Sequence, residues 1–212
     1  MLLLSVFDIQ ILSGSDENKF NMTKARMETF SDGVIAIIIT IMVLELRPPH
    51  DSSPAALVPL IPVFLSYLLS FVYLGIYWSN HHHLLQAVEH VGGGILWANL
   101  HLLFWLSLIP FVTAWMGENH FAQWTLAFYG IVLLLAAIAY SILVRALLSR
   151  HGHDSLLAHA LGSDFKGKIS IVIYLLAIPL AFVKWWLACG LYILVALMWL
   201  VPDRRIEKTL PL

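Results

Sequence analysis

The sequence predicts an all-α, polytopic membrane protein with six transmembrane helices, and three observations predict it. Hydrophobic residues make up 60% of the 212 residues and charged residues 12%, against about 45–50% and about 25% in soluble domains. Six apolar runs approach the roughly 20 residues that a helix needs to cross a bilayer. Lysine and arginine fall almost entirely on one side of these runs, as expected of membrane helices.

The six runs lie in chain order near residues 28–46, 57–78, 95–116, 121–148, 168–183 and 185–201. The segment 48–54 contains three prolines and is predicted to stop the first helix, because proline has no backbone N–H to donate. Only Lys184 separates the last two runs, which favours a tight hairpin of two short helices over the alternative, one long bent helix.

The basic residues predict the orientation of the chain. Of the twelve lysine and arginine residues, ten lie inside when the N-terminus is placed in the cytoplasm, and only Arg47 and Lys184 lie outside. An even number of spans with both termini cytoplasmic follows. We predict a mobile N-terminal extension at 1–23, a membrane domain at 24–205 and a C-terminal tail at 206–212.

Several functional classes are disfavoured. A net charge of -1 without a basic stripe gives no reason to expect nucleic-acid binding. The single cysteine, Cys189, excludes an intrachain disulfide. The chain carries no HExxH, GxSxG or CxxC motif and no phosphate-binding glycine loop. We therefore predict a protein that is not an enzyme and that holds no cofactor.

Histidines raise the question of a metal site. The consecutive His81, His82 and His83 point about 100° apart on a helix and cannot converge on one ion, so we predict no metal there. The inner loop carries three more, for which weak metal binding is the alternative to ordinary solvated side chains, namely His151, His153 and His159.

The first span carries polar residues at its inner end, Arg26, Ser31 and Asp32. A charge at the headgroup boundary is costly unless it is paired or faces protein or water, although Ser31 or Asp32 also suits a simple helix N-cap. The inner ends of the second and third spans carry matching polar residues: Asn80, His81, His82, His83, Asn99 and His101. We predict a buried network that holds the three helices in register.

One face of the first span is a stripe at helical spacing, formed by Phe30, Gly33, Ile37, Thr40, Ile41 and Leu44. Spacing alone also fits an ordinary bundle helix. Glu45 follows about 12 Å beyond Ile37 along the axis. Near the outer mouth, its carboxylate either concentrates cations or simply reaches the interface.

The motif Arg-x-x-x-Phe-Ser-Asp, formed by Arg26, Phe30, Ser31 and Asp32, occurs together with "WSNHH" at 78–82 and "NLHLLFWLSLIPFVTA" at 99–114. This combination resembles the prokaryotic branch of the transmembrane protein 175 family of potassium channels. The resemblance covers roughly residues 24–205.

The resemblance implies a homotetramer in a bacterial or archaeal cell membrane, with the first helix of each subunit lining a central pore for K⁺. It implies an apolar constriction at Ile37, Ile41 and Leu44, and it makes Thr40 the candidate for cation selectivity. It also implies that Arg26, Ser31 and Asp32 lock the first helix to Asn99 and to either His81 or His82.

The predicted function is therefore passive conduction of cations with a preference for potassium. The first alternative is a proton-linked transporter or proton-permeable pathway that uses Asp32 and the cytoplasmic-side histidines, because imidazoles exchange protons near neutral pH. The second is a membrane scaffold or enzyme without ion flux.

Overall fold

The computed structural model describes residues 24–88, 91–151 and 165–200, with the backbone alone at 151. These ranges form one short 3-10 helix, Pro54–Leu60, and seven α-helices: α1 (Lys24–Leu44), α2 (Ile61–Gln86), α3 (Gly93–Ser107), α4 (Ile109–Glu118), α5 (Gln123–His151), α6 (Phe165–Val183) and α7 (Trp185–Leu200). No β-strand occurs within them.

Six helical passages result from these elements. Five are long and apolar enough to cross a bilayer, namely α1, the 3-10 helix with α2, α3 with α4, α5, and α6. The sixth, α7, is apolar throughout but has only 16 residues. The predicted all-α, polytopic fold with six apolar helices is confirmed.

The second passage is longer than its apolar run. The run ends near residue 78, whereas α2 continues to Gln86. Polar side chains do not end a helix as long as its backbone can still form internal hydrogen bonds. The last such backbone hydrogen bond of α2 is donated by the Ala87 N–H to the His83 carbonyl at 3.4 Å. The consecutive histidines therefore lie on the last turns of α2.

The third passage is divided, which the apolar run did not indicate. α3 ends at Ser107 and α4 begins at Ile109, with Leu108 between them. Pro110 lies in the first turn of α4, where its missing N–H costs least, and its ring disfavours continuation of the preceding helix. The break therefore lies near the middle of this passage.

The final two helices form the predicted hairpin. α6 and α7 pack against each other, and Lys184 alone connects them. The Lys184 N–H donates to the Leu180 carbonyl at 2.9 Å, and the Leu187 N–H donates to the Lys184 carbonyl at 3.0 Å. One residue thus completes the end of α6 and starts α7.

The core is centred on α5, which packs against α3, α4, α6 and α7. Hydroxyl groups connect the helices within it: Ser70 lies 2.7 Å from the Thr113 hydroxyl and 3.0 Å from the Tyr129 hydroxyl. The Tyr73 hydroxyl donates to the Tyr192 carbonyl at 2.6 Å. Such bonds join helices where apolar lipid provides no hydrophobic drive for association.

A polar turn follows α1 at the opposite end from the histidines. Ser53 donates to the Asp51 carboxylate from its hydroxyl at 2.8 Å and from its backbone N–H at 3.1 Å. These two hydrogen bonds lower the pKa of Asp51. The predicted extension at 1–23, the tail at 206–212 and the side chains of His151, His153 and His159 lie outside the described residues.

Candidate pore helix and its anchor

The helix α1 has one face that packs on the rest of the chain. Its buried residues follow helical spacing and are Met27, Ser31, Ile35, Ile38 and Met42. Four of these five side chains are apolar, so the packed face is an ordinary helix interface with one polar position.

The predicted stripe lies on a different face of α1 and is left uncovered. Phe30 is 54% exposed, Ile37 59%, Ile41 45% and Leu44 77%. An added Cβ on Gly33 would meet nothing within 4 Å. The apolar stripe of α1 is therefore available to lipid or to another chain.

The polar member of the stripe is bonded to its own helix. The Thr40 hydroxyl donates to the Ile37 carbonyl at 2.8 Å, and Thr40 is exposed. Because the donor is used in this bond, the hydroxyl oxygen keeps acceptor capacity only. An acceptor oxygen is the kind of group that can replace water around a cation.

A buried polar anchor joins α1 to α2 and α3. Asn99 donates from Nδ2 to the Ser31 hydroxyl at 2.9 Å, and its Oδ1 lies 2.7 Å from Nε2 of His81. All three side chains are buried, at 0% exposure for Ser31, 1% for His81 and 2% for Asn99. One side chain from each of the three helices therefore takes part in a single buried cluster of hydrogen bonds.

The directions of these hydrogen bonds form a chain. Ser31 donates its hydroxyl hydrogen to the Met27 carbonyl at 2.8 Å, so its oxygen accepts from Asn99. The Asn99 Oδ1 can then only accept, which places the hydrogen of neutral His81 on Nε2. The other ring nitrogen, Nδ1, is buried and has no hydrogen-bond partner among the described residues.

A second row of contacts connects α1 and α2 nearer the surface. The Trp78 indole N–H donates to the Asp32 carboxylate at 3.0 Å, and Nδ1 of His82 lies 3.2 Å from the Glu28 carboxylate. The rings of Trp78 and His82 stack with their centroids 6.1 Å apart. Positions i and i+4 on α1 thus face positions i and i+4 on α2.

The structure therefore distinguishes between the two candidate histidines: His81 contacts Asn99, whereas His82 contacts Glu28. Sequence reasoning had not singled out Glu28 or given Trp78 a role. Spacing in the sequence was the available signal: Glu28 lies four residues before Asp32, and Trp78 lies four residues before His82. This spacing places each pair on one helix face.

The remaining predicted members of the network lie apart from the anchor. Arg26 and Phe30 are exposed, and Arg26 has no hydrogen bond or ion pair within the described ranges. Asn80 donates to the Ile76 carbonyl of its own helix at 2.8 Å. His101 accepts from the Trp105 indole at 2.9 Å, also on its own helix.

An open groove of about 590 Å³ lies between α1 and the α3–α4 passage. Its walls are mostly apolar, and Glu45 and Glu118 lie at the end that the C-termini of α1 and α4 share. Among the residues that the structure describes, no lysine or arginine lines it. The residues that line it are Val34, Ile37, Ile38, Ile41, Glu45, Ser107, Pro110, Phe111, Ala114, Trp115 and Glu118.

These features define a multi-pass membrane protein whose first helix is anchored by polar side chains at one end and presents an uncovered apolar stripe along its length. Residues 26–110 match the family described as endosomal/lysosomal potassium channel TMEM175. The chain belongs to the TMEM175 family, and the resemblance predicted from the motif is confirmed.

Individual relatives agree with this assignment. A protein from Chryseobacterium sp. (strain P1-3) named as a potassium channel is 58% identical over 189 residues, which cover 89% of this chain and 98% of the relative. The crystal structure of a lysosomal potassium-selective channel TMEM175 homolog from Chamaesiphon minutus matches with a TM-score of 0.74 and 28% identity, covering 85% of this chain and 97% of that one.

A more distant relative carries a different activity in its name. The Homo sapiens endosomal/lysosomal proton channel TMEM175 is 36% identical over 80 residues, which cover 32% of this chain and 16% of the human protein.

Proposed function

We propose that this protein is a potassium-preferring cation channel that conducts passively through a pore lined by α1. The observation that carries the proposal is the uncovered stripe: Ile37, Ile41 and Leu44 are 45–77% exposed on a helix whose other face is packed and anchored. Relatives that share nearly the whole chain are named as potassium channels. The protein assembles as a homotetramer in a bacterial or archaeal cell membrane.

In this proposal the constriction is a hydrophobic gate. Four copies of Ile37 around one axis form an apolar ring that closes by losing its water and conducts when it is wide enough to stay wet. Ile41 and Leu44 extend the apolar lining outward. Dehydration at such a ring costs less for K⁺ than for the more strongly hydrated Na⁺, which favours modest selectivity.

Two further residues adjust the passage of ions. Thr40 is exposed and its hydroxyl hydrogen is used by the Ile37 carbonyl, so its oxygen supplies an acceptor to a partly dehydrated cation. Glu45 is exposed beyond the end of α1, and four carboxylates at the outer mouth raise the local concentration of cations. K⁺ is the permeant ion, and no cofactor is required.

The anchor of Ser31, Asn99 and His81 has a mechanical role in this mechanism. It fixes the inner end of α1 against α2 and α3 through short hydrogen bonds in a buried setting. The rotation of α1, and thus the direction in which Ile37 points, is then set by the fold.

The decisive experiment measures ion flux in liposomes containing the purified protein, with K⁺, Na⁺ and H⁺ gradients set independently. We expect K⁺ flux that needs no proton gradient and exceeds Na⁺ flux. Empty liposomes prepared in parallel give the leak. Saturable K⁺ uptake that stops when the proton gradient is abolished would contradict the channel proposal.

Ile37→Asn tests where the gate lies. A polar side chain in the apolar ring should keep the constriction wet, so we expect a conductance several-fold higher than that of the native protein, measured in planar bilayers. The matched control is Ile193→Asn, because Ile193 is an isoleucine of similar exposure, 47%, on α7 and does not belong to the stripe. An equal change in both variants, or none in Ile37→Asn, would place the gate elsewhere.

Proton permeation is the second candidate function. One support is the name of the human relative, which is called a proton channel. The other is the contact between His82 and Glu28 at the inner end of α1, where the two side chains are 37% and 27% exposed. The same liposomes test it, since proton flux that falls in His82→Gln but not in His83→Gln would support this pathway. Proton flux equal to that of empty liposomes excludes it.

A further inference from the structure

A narrow crevice lies where α2, α5, α6 and α7 meet, and among the described residues none of α1 lines it. Its floor is buried and consists of Tyr73, Ser170 and Tyr174. The other lining residues are half-buried and form the crevice mouth: Ile76, Tyr77, Asn80, Ala137, Tyr140, Ser141, Gly167 and Trp199. The pore mechanism proposed above uses none of these residues.

The crevice lies at the end of the bundle that carries the consecutive histidines of α2. Asn80 directly precedes these histidines, Gly167 lies in the first turn of α6, and Trp199 lies one residue before the end of α7. This is the end that is predicted to face the cytoplasm, because ten of the twelve basic residues belong to it. The crevice mouth therefore lies near the inner boundary of the membrane.

Two basic residues lie beside the crevice mouth. The Lys166 Nζ lies 5.8 Å from the centre of the Trp199 ring, and the Trp199 indole N–H donates to the Ser170 hydroxyl at 2.9 Å. On α5, Arg145 is exposed and lies one helical turn beyond Ser141, about 6 Å nearer the inner end. A long basic side chain from α5 and another from α6 can therefore reach the crevice mouth.

The helices that carry these cations contain no carboxylate. Over their described ranges, α5, α6 and α7 include neither aspartate nor glutamate. The acidic residues closest to them in sequence, Asp164 and Asp203, lie outside the described residues. Arg145 makes no hydrogen bond or ion pair in the part of the chain that the structure describes. The surface around the crevice mouth is therefore positive, and a phosphate group complements it.

One hydroxyl group at the crevice has no acceptor. Tyr77 packs edge-on against the Tyr140 ring, with the ring centroids 6.2 Å apart, and its hydroxyl makes no hydrogen bond with any described residue. A hydroxyl withdrawn from water without an acceptor is unfavourable. Tyr77 precedes Asn80 by three residues, so an acceptor for this hydroxyl has to come from a molecule that enters the crevice mouth.

The size of the crevice limits what can enter it. Its free volume is about 40 Å³, whereas one water needs roughly 10–15 Å³. This space accepts a group such as a glycerol ester with its first methylene groups, but not a whole acyl chain. The remainder of a bound lipid therefore lies along the outside of the helices, with its phosphate at the crevice mouth.

We propose that the crevice binds an anionic phospholipid of the inner leaflet. The phosphate of the lipid lies between Arg145 and Lys166, and an ester oxygen accepts a hydrogen bond from the Tyr77 hydroxyl. The two cations select phosphatidylglycerol or cardiolipin over phosphatidylcholine, whose headgroup has no net charge. The inference depends on the orientation of the chain and is independent of the pore, because α1 takes no part in the site.

Native mass spectrometry of the full chain in detergent measures the binding. The protein is titrated separately with phosphatidylglycerol and with phosphatidylcholine of the same acyl chains. We expect phosphatidylglycerol to bind about 25-fold more tightly, since each of two cations contributes about fivefold. Arg145→Gln and Lys166→Gln should each weaken the binding of phosphatidylglycerol about fivefold and leave that of phosphatidylcholine unchanged.

The matched controls are Lys184→Gln and Arg47→Gln, because these are the two basic residues predicted at the outer end. Both control variants should bind phosphatidylglycerol with the native affinity. Equal weakening by the inner and the outer variants would show a general attraction between charges and would overturn the site. Arg145 is exposed and unpaired, so Arg145→Gln should fold normally, and a native lipid preference in this variant alone would also overturn it.

Two further variants test the crevice itself with both cations retained. The Ser141 hydroxyl donates to the Ala137 carbonyl of its own helix at 3.0 Å, so Ser141→Leu breaks no bond between helices and fills the crevice mouth. We expect it to weaken the binding of phosphatidylglycerol at least fivefold. Tyr77→Phe removes a hydrogen bond to the ester that both lipids share, so it should weaken both alike, by about fivefold.

Inorganic phosphate distinguishes a lipid from a soluble anion. Millimolar phosphate should not displace the bound phosphatidylglycerol, because it offers no ester to the crevice. Displacement by phosphate that depends on Arg145 and Lys166 would assign the two cations to a soluble anion and overturn the lipid site. Native affinity for phosphatidylglycerol in both Ser141→Leu and Tyr77→Phe would likewise overturn it, since the lipid would then not enter the crevice.

Discussion

Asn99 is the residue on which the anchor of α1 depends. Its amide uses Nδ2 toward Ser31 on α1 and Oδ1 toward His81 on α2, while its backbone belongs to α3. A buried amide that serves both neighbours leaves no polar atom of its own unmet. Without it, both Ser31 and His81 would lose their connection across helices.

We predict that Asn99→Ala destabilises the protein by about 3 kcal/mol, because two buried groups lose a partner at about 1–3 kcal/mol each. Unfolding in detergent, followed by circular dichroism, measures the loss. The control is Asn119→Ala, since Asn119 is exposed and its side chain donates to the Trp115 carbonyl four residues earlier, without joining two helices. A loss in Asn99→Ala no larger than in this control would contradict the anchor.

The sequence could predict part of this anchor. Ser31 and Asn99 interrupt apolar runs at the same predicted depth, and that is enough to suggest a contact. The choice of His81 over His82, and the pairing of Asp32 with Trp78, depend on how far α2 is rotated about its own axis. That rotation is set by packing between helices, which the periodicity of one helix does not determine.

At the scale of the elements, the helices followed from hydrophobic runs because a membrane-spanning chain must satisfy its backbone groups internally. The ends of α2 and the break at Leu108 did not follow. Pro110 lies in the first turn of a new helix, whereas Pro179 lies inside α6 without dividing it. The sequence around a proline does not distinguish these two cases.

The crossing of α2 and α4 depends on a close approach at Gly117. An added Cβ there would lie 2.8 Å from the Val63 Cα and 2.5 Å from the Ser66 hydroxyl. Backbone cannot give way as a flexible side chain does, so the two helices can lie this close only when position 117 has no side chain.

We therefore expect Gly117→Ala to destabilise the protein by about 1–3 kcal/mol, because α4 must move away from α2. Gly75→Ala is the matched control: an added Cβ at Gly75 in α2 meets nothing within 4 Å, and alanine favours helix by up to about 1 kcal/mol. Detergent unfolding curves of the two variants provide the comparison. A similar stability for both would show that the α2–α4 approach is not tight.

At the scale of the whole molecule, the uncovered apolar surface is available to lipid or to another chain. The sequence could identify the stripe on α1 but could not distinguish a stripe that faces lipid from one that faces a pore, because both are apolar. The structure adds the groove beside the stripe and the acidic residues at its end. The orientation of the chain decides on which side of the membrane that acidic end lies.

Orientation is tested with two exposed serines at opposite ends of the helices, Ser52 in the turn after α1 and Ser149 at the end of α5. In a Cys189→Ala background, a membrane-impermeant maleimide should label Ser52→Cys in intact cells. Ser149→Cys should be labelled only after permeabilisation. The reason is the placement of ten of the twelve basic residues on the side of Ser149, which favours that side for the cytoplasm.

The reverse labelling pattern would place Glu45, Glu118 and Arg47 at the cytoplasmic face and the anchor at the outer face. An outward orientation of the anchor would expose the contact between His82 and Glu28 to the external pH instead of the buffered cytoplasm. Proton dependence measured from the outside would then report on this contact. With the predicted orientation, Glu45 lies at the outer end of α1, and Glu45→Gln should reduce cation entry from outside, because a neutral amide does not attract cations.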